Sequence, residues 1–96
     1  ARALGAVMAE QGSPGEGVEE GVLRVLGRYP TATEAKVLAA AQARYRKAFQ
    51  GRRGDAEDLL SAGEWQAGSS EKIVELASWT LVASTLLNMD EAMTRQ

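Results

Sequence analysis

The acidic side chains are the most plentiful groups in this chain that could move a proton, and Glu57, Asp58 and Glu64 come closest to a paired-carboxylate site. Two carboxylates can divide acid and base work when their surroundings keep one protonated and the other charged. No neighbouring residue supplies such an asymmetry here. Glu57 and Asp58 fall instead in the first turn of a short predicted helix, where negative charge complements the helix dipole. Glu64 is expected to be solvated. The hydroxyl groups fare no better as nucleophiles. Ser61, Ser69, Ser70, Ser78 and Ser84 have no His partner and no G-x-S-x-G elbow, and no motif couples them to Lys36, Lys47 or Lys72. Capping and helix-face roles account for them.

A sharper anomaly is a cluster of cations: Arg44, Arg46, Lys47, Arg52 and Arg53. From Ala35 to Gly54 there is no acid, so the chain has a basic end although its net charge is −2. Such a patch could hold a phosphate, a nucleic acid or an acidic partner. The plainer explanation is a solvated helix C-terminus, where cations offset the dipole. Tyr45 and Phe49 sit at core spacing rather than as a base-stacking platform, which disfavours nucleic acid. If the patch serves a partner, an acidic protein or glycan fits it best.

The residue inventory closes other routes. The chain has no Cys and no His, which removes disulfides, thiolate chemistry, imidazole bases and N/S metal sites. Haem attachment through C-x-x-C-H cannot occur within it. Met8, Met89 and Met93 could be imagined as axial haem ligands, but without that attachment motif they are expected to fill core gaps. No cofactor is expected in this chain. The glycine-rich Gly12-Ser-Pro-Gly-Glu-Gly17 matches no phosphate-binding loop and is expected to be irregular.

These groups must be positioned by helices. With 96 residues, 45% apolar and 25% charged, the chain suits one domain with a modest core. Leu4, Val7 and Met8 mark a short helix to about Glu10, and Val18, Val22, Val25 and Leu26 a second ending near Gly27. Thr31-Ala-Thr-Glu34 is a capping box opening a third helix to about Gln50, with Leu38, Ala41, Tyr45 and Ala48/Phe49 as its apolar stripe. Gly51 is a C-cap candidate, and Asp55 is expected to cap a short helix over 56–62. Residues 63–68 read as irregular, with Trp65 tucked inward. Ser69 or Ser70 then caps the last long helix. That helix is apolar on nearly all sides, with Ile73, Leu76, Ala77, Thr80, Ala83, Ser84 and Leu87 on one face, so it should be buried and central. Asn88 is expected to stop it and Asp90 to restart a final turn through Met93. The run from Ile73 to Leu87 is 15 residues, short of the roughly 20 that cross a bilayer. The expected fold is all-α, a compact bundle of four to five helices around a buried C-terminal helix over about 70–87.

Three blocks carry a family resemblance: Leu26-Gly-Arg-Tyr-Pro-Thr31 with Glu34; Leu59-Leu60 with Gly63-Glu64; and Trp79-Thr80 with Val82, Leu86-Leu-Asn88, Asp90-Glu91 and Thr94-Arg95. In order and spacing they resemble the C-terminal part of the planctomycete cytochrome-associated domain, domain-of-unknown-function family 1553. The likeness covers about residues 18–96. Ala32 departs from it, since the family often places Pro after the Thr. The resemblance implies a helical segment of a large extracytoplasmic multidomain protein, many members of which carry haem c nearer the N-terminus. It brings no established catalytic residues. The chain opens at Ala1-Arg2-Ala3-Leu4, as though inside a helix, and is expected to be an excised C-terminal piece of a longer protein.

The leading expectation is therefore a non-catalytic structural or interaction domain whose partners include other domains of the same protein. An auxiliary part of an enzyme with its active site upstream is the alternative, and a small helical nucleic-acid binder a third.

Overall fold

In the computed structural model, which describes residues 2–59 and 70–94, the described residues form five helices and no strand. These are α1 (Arg2–Ala9), α2 (Pro14–Leu26), α3 (Ala32–Gln50), α4 (Arg53–Leu59) and α5 (Ser70–Thr94). The all-α expectation holds, and α5 is the element against which the other four pack.

Local chemistry explains the boundaries, and it moves several of them. Helix α2 starts four residues before Val18. Ser13 is its N-cap, accepting the Glu16 amide at 3.2 Å, and Pro14 occupies the first position, where its missing N–H and fixed φ carry no penalty. The stretch expected to be irregular through Gly17 is thus mostly helix. Gly27 ends α2 at φ 72°, a left-handed conformation that costs glycine little. The capping box of α3 forms as expected: Thr31 Oγ1 accepts the Glu34 amide at 3.1 Å, and Glu34 Oε1 accepts the Thr31 amide at 2.9 Å. Gly51 follows α3 at φ −93°, so no left-handed cap is used there.

Helix α4 begins two residues before Asp55. The Arg52 carbonyl accepts the Asp55 and Ala56 amides, so Arg52 takes the cap position and Asp55 sits in the first turn. There its charge still favours the helix N-terminus. The predicted end of α4 at residue 62, the irregular 63–68 segment, Trp65, Ser61, Glu64 and the Ser69 cap fall outside the described residues. Ser70 is already the first residue of α5.

The break expected at Asn88 does not occur: α5 runs 25 residues through Asn88 and Asp90. Asn costs a helix interior only a few tenths of a kcal/mol, and no Gly or Pro lies between Ser70 and Thr94. Asn88 is exposed, so water serves its amide and the backbone ladder continues past it.

The core follows from α5 being apolar all round. Trp79, Val82, Ala83 and Leu86 pack with Met8, Val18, Val22 and Leu38, while Ile73, Leu76 and Ala77 pack with Ala56. Leu87, expected on the buried face, is 41% exposed. On α3, Leu38 and Gln42 are buried with Tyr45 and Phe49 beside them, whereas Ala48 faces out. Two helical glycines set how near α1 and α2 come. A Cβ on Gly5 would lie 2.8 Å from the Thr80 backbone, and one on Gly17 2.7 Å from the Trp79 ring and 2.8 Å from the Met8 carbonyl. Glycine at both places lets backbone and indole approach where any side chain would collide.

Candidate functional site

The α3–α5 seam carries a cluster of polar side chains inside the bundle. Gln42, one turn beyond Leu38, is buried and must be hydrogen-bonded to be tolerated there. Its Nε2 donates to Ser78 Oγ at 3.0 Å and to Glu75 Oε1 at 3.3 Å, which uses both amide protons. The same Glu75 oxygen accepts from Trp79 Nε1 at 3.1 Å, and the other lies 3.7 Å from Arg46 Nη1. Ser78 Oγ donates to the Glu75 carbonyl at 2.7 Å. Helical spacing builds this: Glu75, Ser78 and Trp79 lie at i, i+3 and i+4 on α5, facing Gln42 and Arg46 at i and i+4 on α3.

In this cluster each proton is already directed at a protein acceptor. Ser78 gives its hydroxyl proton to a backbone carbonyl, so no general base addresses it and it is not set up as a nucleophile. Glu75 is held between an indole, an amide and a guanidinium. What the arrangement does is fix the register of α3 on α5, because sliding either helix would strand buried polar atoms.

Glu75 also borders two grooves. One, of about 430 Å³, lies between α3 and α5 and is lined by Arg46, Gln50, Glu71, Val74 and Glu75. The other, of about 290 Å³, lies between α1 and α5 beside Ala6, Glu10, Lys72 and Leu76. Both carry charges of each sign on their walls.

The five cations singled out in the sequence do not form one cluster. Arg46 turns toward α5 and Glu75. Arg44 and Lys47 lie on the exposed outer side of α3, and Arg52 is exposed at the α3–α4 turn. Arg53 is the first residue of α4, its side chain outside the described residues. The outer side of α3 therefore presents Lys36, Arg44 and Lys47 around exposed Val37, Ala40 and Ala43. Of the acids weighed as a pair, Asp58 is exposed on α4, and the Glu57 side chain and Glu64 are outside the described residues.

Electrostatics are most pronounced at the α2–α3 turn. Arg28 grips Glu34 through two bonds of 2.8 and 2.9 Å. The guanidinium and the Thr31 amide together hold the Glu34 carboxyl down at about 2. This is an exposed clasp over the capping box, which couples the turn to the helix it opens.

No protein-family model, curated protein or solved structure matches this chain. The likeness to the planctomycete cytochrome-associated domain thus stands on its three sequence blocks. Of those blocks the structure describes the Gly27–Glu34 turn and cap, Leu59 at the end of α4, and the stretch of α5 from its buried Trp79, Val82 and Leu86 to Thr94; Leu60, Gly63, Glu64 and Arg95 lie outside the described residues. Among the described residues, no group of three or more acids is placed to hold a metal ion, and no helix is long and apolar enough to cross a membrane.

The Gln42–Glu75–Ser78–Trp79 cluster is what the sequence reading missed. Its signals were present. Gln42 interrupts an apolar stripe one turn after Leu38, and Glu75 is the one charge in the Ile73–Leu87 run. A charge in a helix buried on all sides calls for a partner on the facing helix.

Proposed function

We propose that this chain is a non-catalytic structural and interaction domain, the helical C-terminal part of an extracytoplasmic, haem c-associated multidomain protein. The observation that carries the first half is the polar cluster of Gln42, Glu75, Ser78 and Trp79. The groups best placed for acid, base or nucleophile work are bonded to one another and serve to lock two helices. The absence of His and Cys from the sequence points the same way. The second half rests on the three-block resemblance: haem c would be carried elsewhere in the full-length protein, and other domains of that protein would be the first partners. The outer face of α3, with Arg44 and Lys47, is the surface for an acidic protein or glycan, with Arg52 and Arg53 at its end and Arg46 as the residue that ties this helix to α5.

The test is made on the full-length protein. Deleting this segment should leave any catalytic turnover per folded molecule unchanged while altering stability or assembly. Loss of turnover with the remaining domains still folded, or reproducible hydrolysis of an ester, glycoside or phosphate by the isolated chain, would overturn the proposal.

A further inference from the structure

The net charge of −2 conceals two opposed blocks. From Ala3 to Leu23 there are four acids, Glu10, Glu16, Glu19 and Glu20, and no base; from Ala35 to Gly54 there are six bases and no acid. The fold keeps much of this segregation on the outside. Glu16 and Glu19 are exposed on α2, beside a shallow groove of about 170 Å³ lined by Gln11, Glu20, Leu23 and Tyr29. Lys36, Arg44 and Lys47 are exposed on α3, spread over about 16 Å of helix. Neither Arg44 nor Lys47 is in an ion pair among the described residues. A solvated helix ordinarily mixes signs along its surface, where acid–base pairs one turn apart stabilise it. On α2 only Glu20 has such a partner, Arg24 at 2.6 Å, which leaves Glu16 and Glu19 outside any ion pair among the described residues, and the outer α3 face has no acid at all.

Apolar groups accompany the charges on both faces. Tyr29 is 67% exposed and Leu23 37%, at the acidic groove, while Val37 is 58% exposed at the N-terminal end of the basic face, beside Lys36 and followed toward Arg44 by Ala40 and Ala43. Exposed apolar groups set beside charge, negative on one face and positive on the other, suit the two sides of a contact. The complement to each face is present on the same molecule.

We propose that a second copy of this chain is the occupant: the acidic α2 face of one copy docks on the basic α3 face of another, Val37 meeting the Leu23–Tyr29 groove. This rests on the interaction role proposed above and names the partner for the α3 face. The faces are small and rimmed with exposed charge, so the contact belongs to the weak, salt-sensitive class of interfaces.

The experiment is sedimentation of the chain at concentrations up to about 1 mM, in about 0.05 M and about 1 M salt. Self-association at low salt, weakened at least about tenfold at high salt, is expected. A variant with Arg44→Glu and Lys47→Glu should be monomeric, as should one with Glu16→Lys and Glu19→Lys. An equimolar mixture of the two should associate again, because each restores the other's complement. In the unaltered protein, amide shifts on raising the concentration should be confined to the α2 and outer α3 faces, a readout independent of any variant. A chain monomeric throughout would overturn the second copy as partner, and association surviving both reversals would overturn the surface. Binding of poly-glutamate by a monomeric chain would then separate failure of this proposal from failure of the interaction role itself.

Discussion

Replacing Gly17 by alanine sets two opposed effects against each other in one helix. Alanine gains up to about 1 kcal/mol over glycine in a helix interior, mostly from the backbone entropy glycine loses on folding. At Gly17 the new Cβ would sit 2.7 Å from Trp79 Cη2 and 2.8 Å from the Met8 carbonyl oxygen, where carbon contacts are comfortable at about 3.5–4.0 Å. The Met8 carbonyl belongs to α1, and the indole is pinned by Val82, Leu86 and its bond to Glu75. Relief therefore needs a shift of α1, and overpacking of this kind costs about 1–3 kcal/mol. The expected net effect is destabilisation by up to about 2 kcal/mol, a fall in Tm of up to about 15 °C for a domain this size. Gly15, two residues away in the same helix, meets only Ser13 Oγ at 3.9 Å, so its alanine variant should gain about 0.4–1 kcal/mol. Thermal and urea melts followed by circular dichroism measure both. If the Gly17 variant melts as high as the Gly15 variant, α1 and α2 do not pack this closely on α5.

Trp79→Ala should destabilise by about 3–5 kcal/mol and Leu76→Ala by about 2–5, since both are buried on α5; an unchanged melt for either would displace the core. Glu75→Ala leaves the Trp79 N–H and one Gln42 proton without their acceptor and should cost about 1–2 kcal/mol. Gln42→Leu leaves Ser78 bonded to its backbone carbonyl and should cost less; the opposite ranking in urea melts would refute the register-lock role. The Glu34 carboxyl, lowered to about 2, contributes stability that is complete above its unfolded value near 4.5 and is lost as pH falls toward 2. The stability difference between the native chain and Glu34→Gln should therefore shrink across that window, and a difference constant from pH 5 to pH 2 would show that the clasp does not form.

The signals that were legible in the sequence were those set by local chemistry or strict period. Thr31 and Glu34 form the cap their spacing predicts, because a capping box needs only four residues. The all-round apolar α5 lies at the centre because no other placement buries every flank. The errors came from punctuation residues judged without their tertiary neighbours. Gly17 looked like loop and is a packing site, its helical state decided by Trp79 and by the Ser13–Pro14 start upstream. Asn88 and Asp90 looked like a stop and a restart, yet neither residue can interrupt a helix whose inner side is held by Val82, Ala83 and Leu86. The polar cluster was harder to see, because Gln42 and Glu75 are 33 residues apart and nothing in the sequence states which faces of α3 and α5 meet.

The close approach of Gly5 to Thr80 joins residues some 75 positions apart in the chain. On a translating ribosome, α1, α2 and α3 would all emerge before the helix they bury against exists. Until α5 leaves the exit tunnel, Met8, Val18, Val22 and Leu38 have no Trp79 or Leu86 to pack on, and the Gln42 amide has no acceptor. Closing such long-range contacts is the slow step in small-domain folding, and synthesis adds only some 5–20 residues per second. The nascent chain thus carries its apolar stripes uncovered for a few seconds, a window in which a holding chaperone has something to bind.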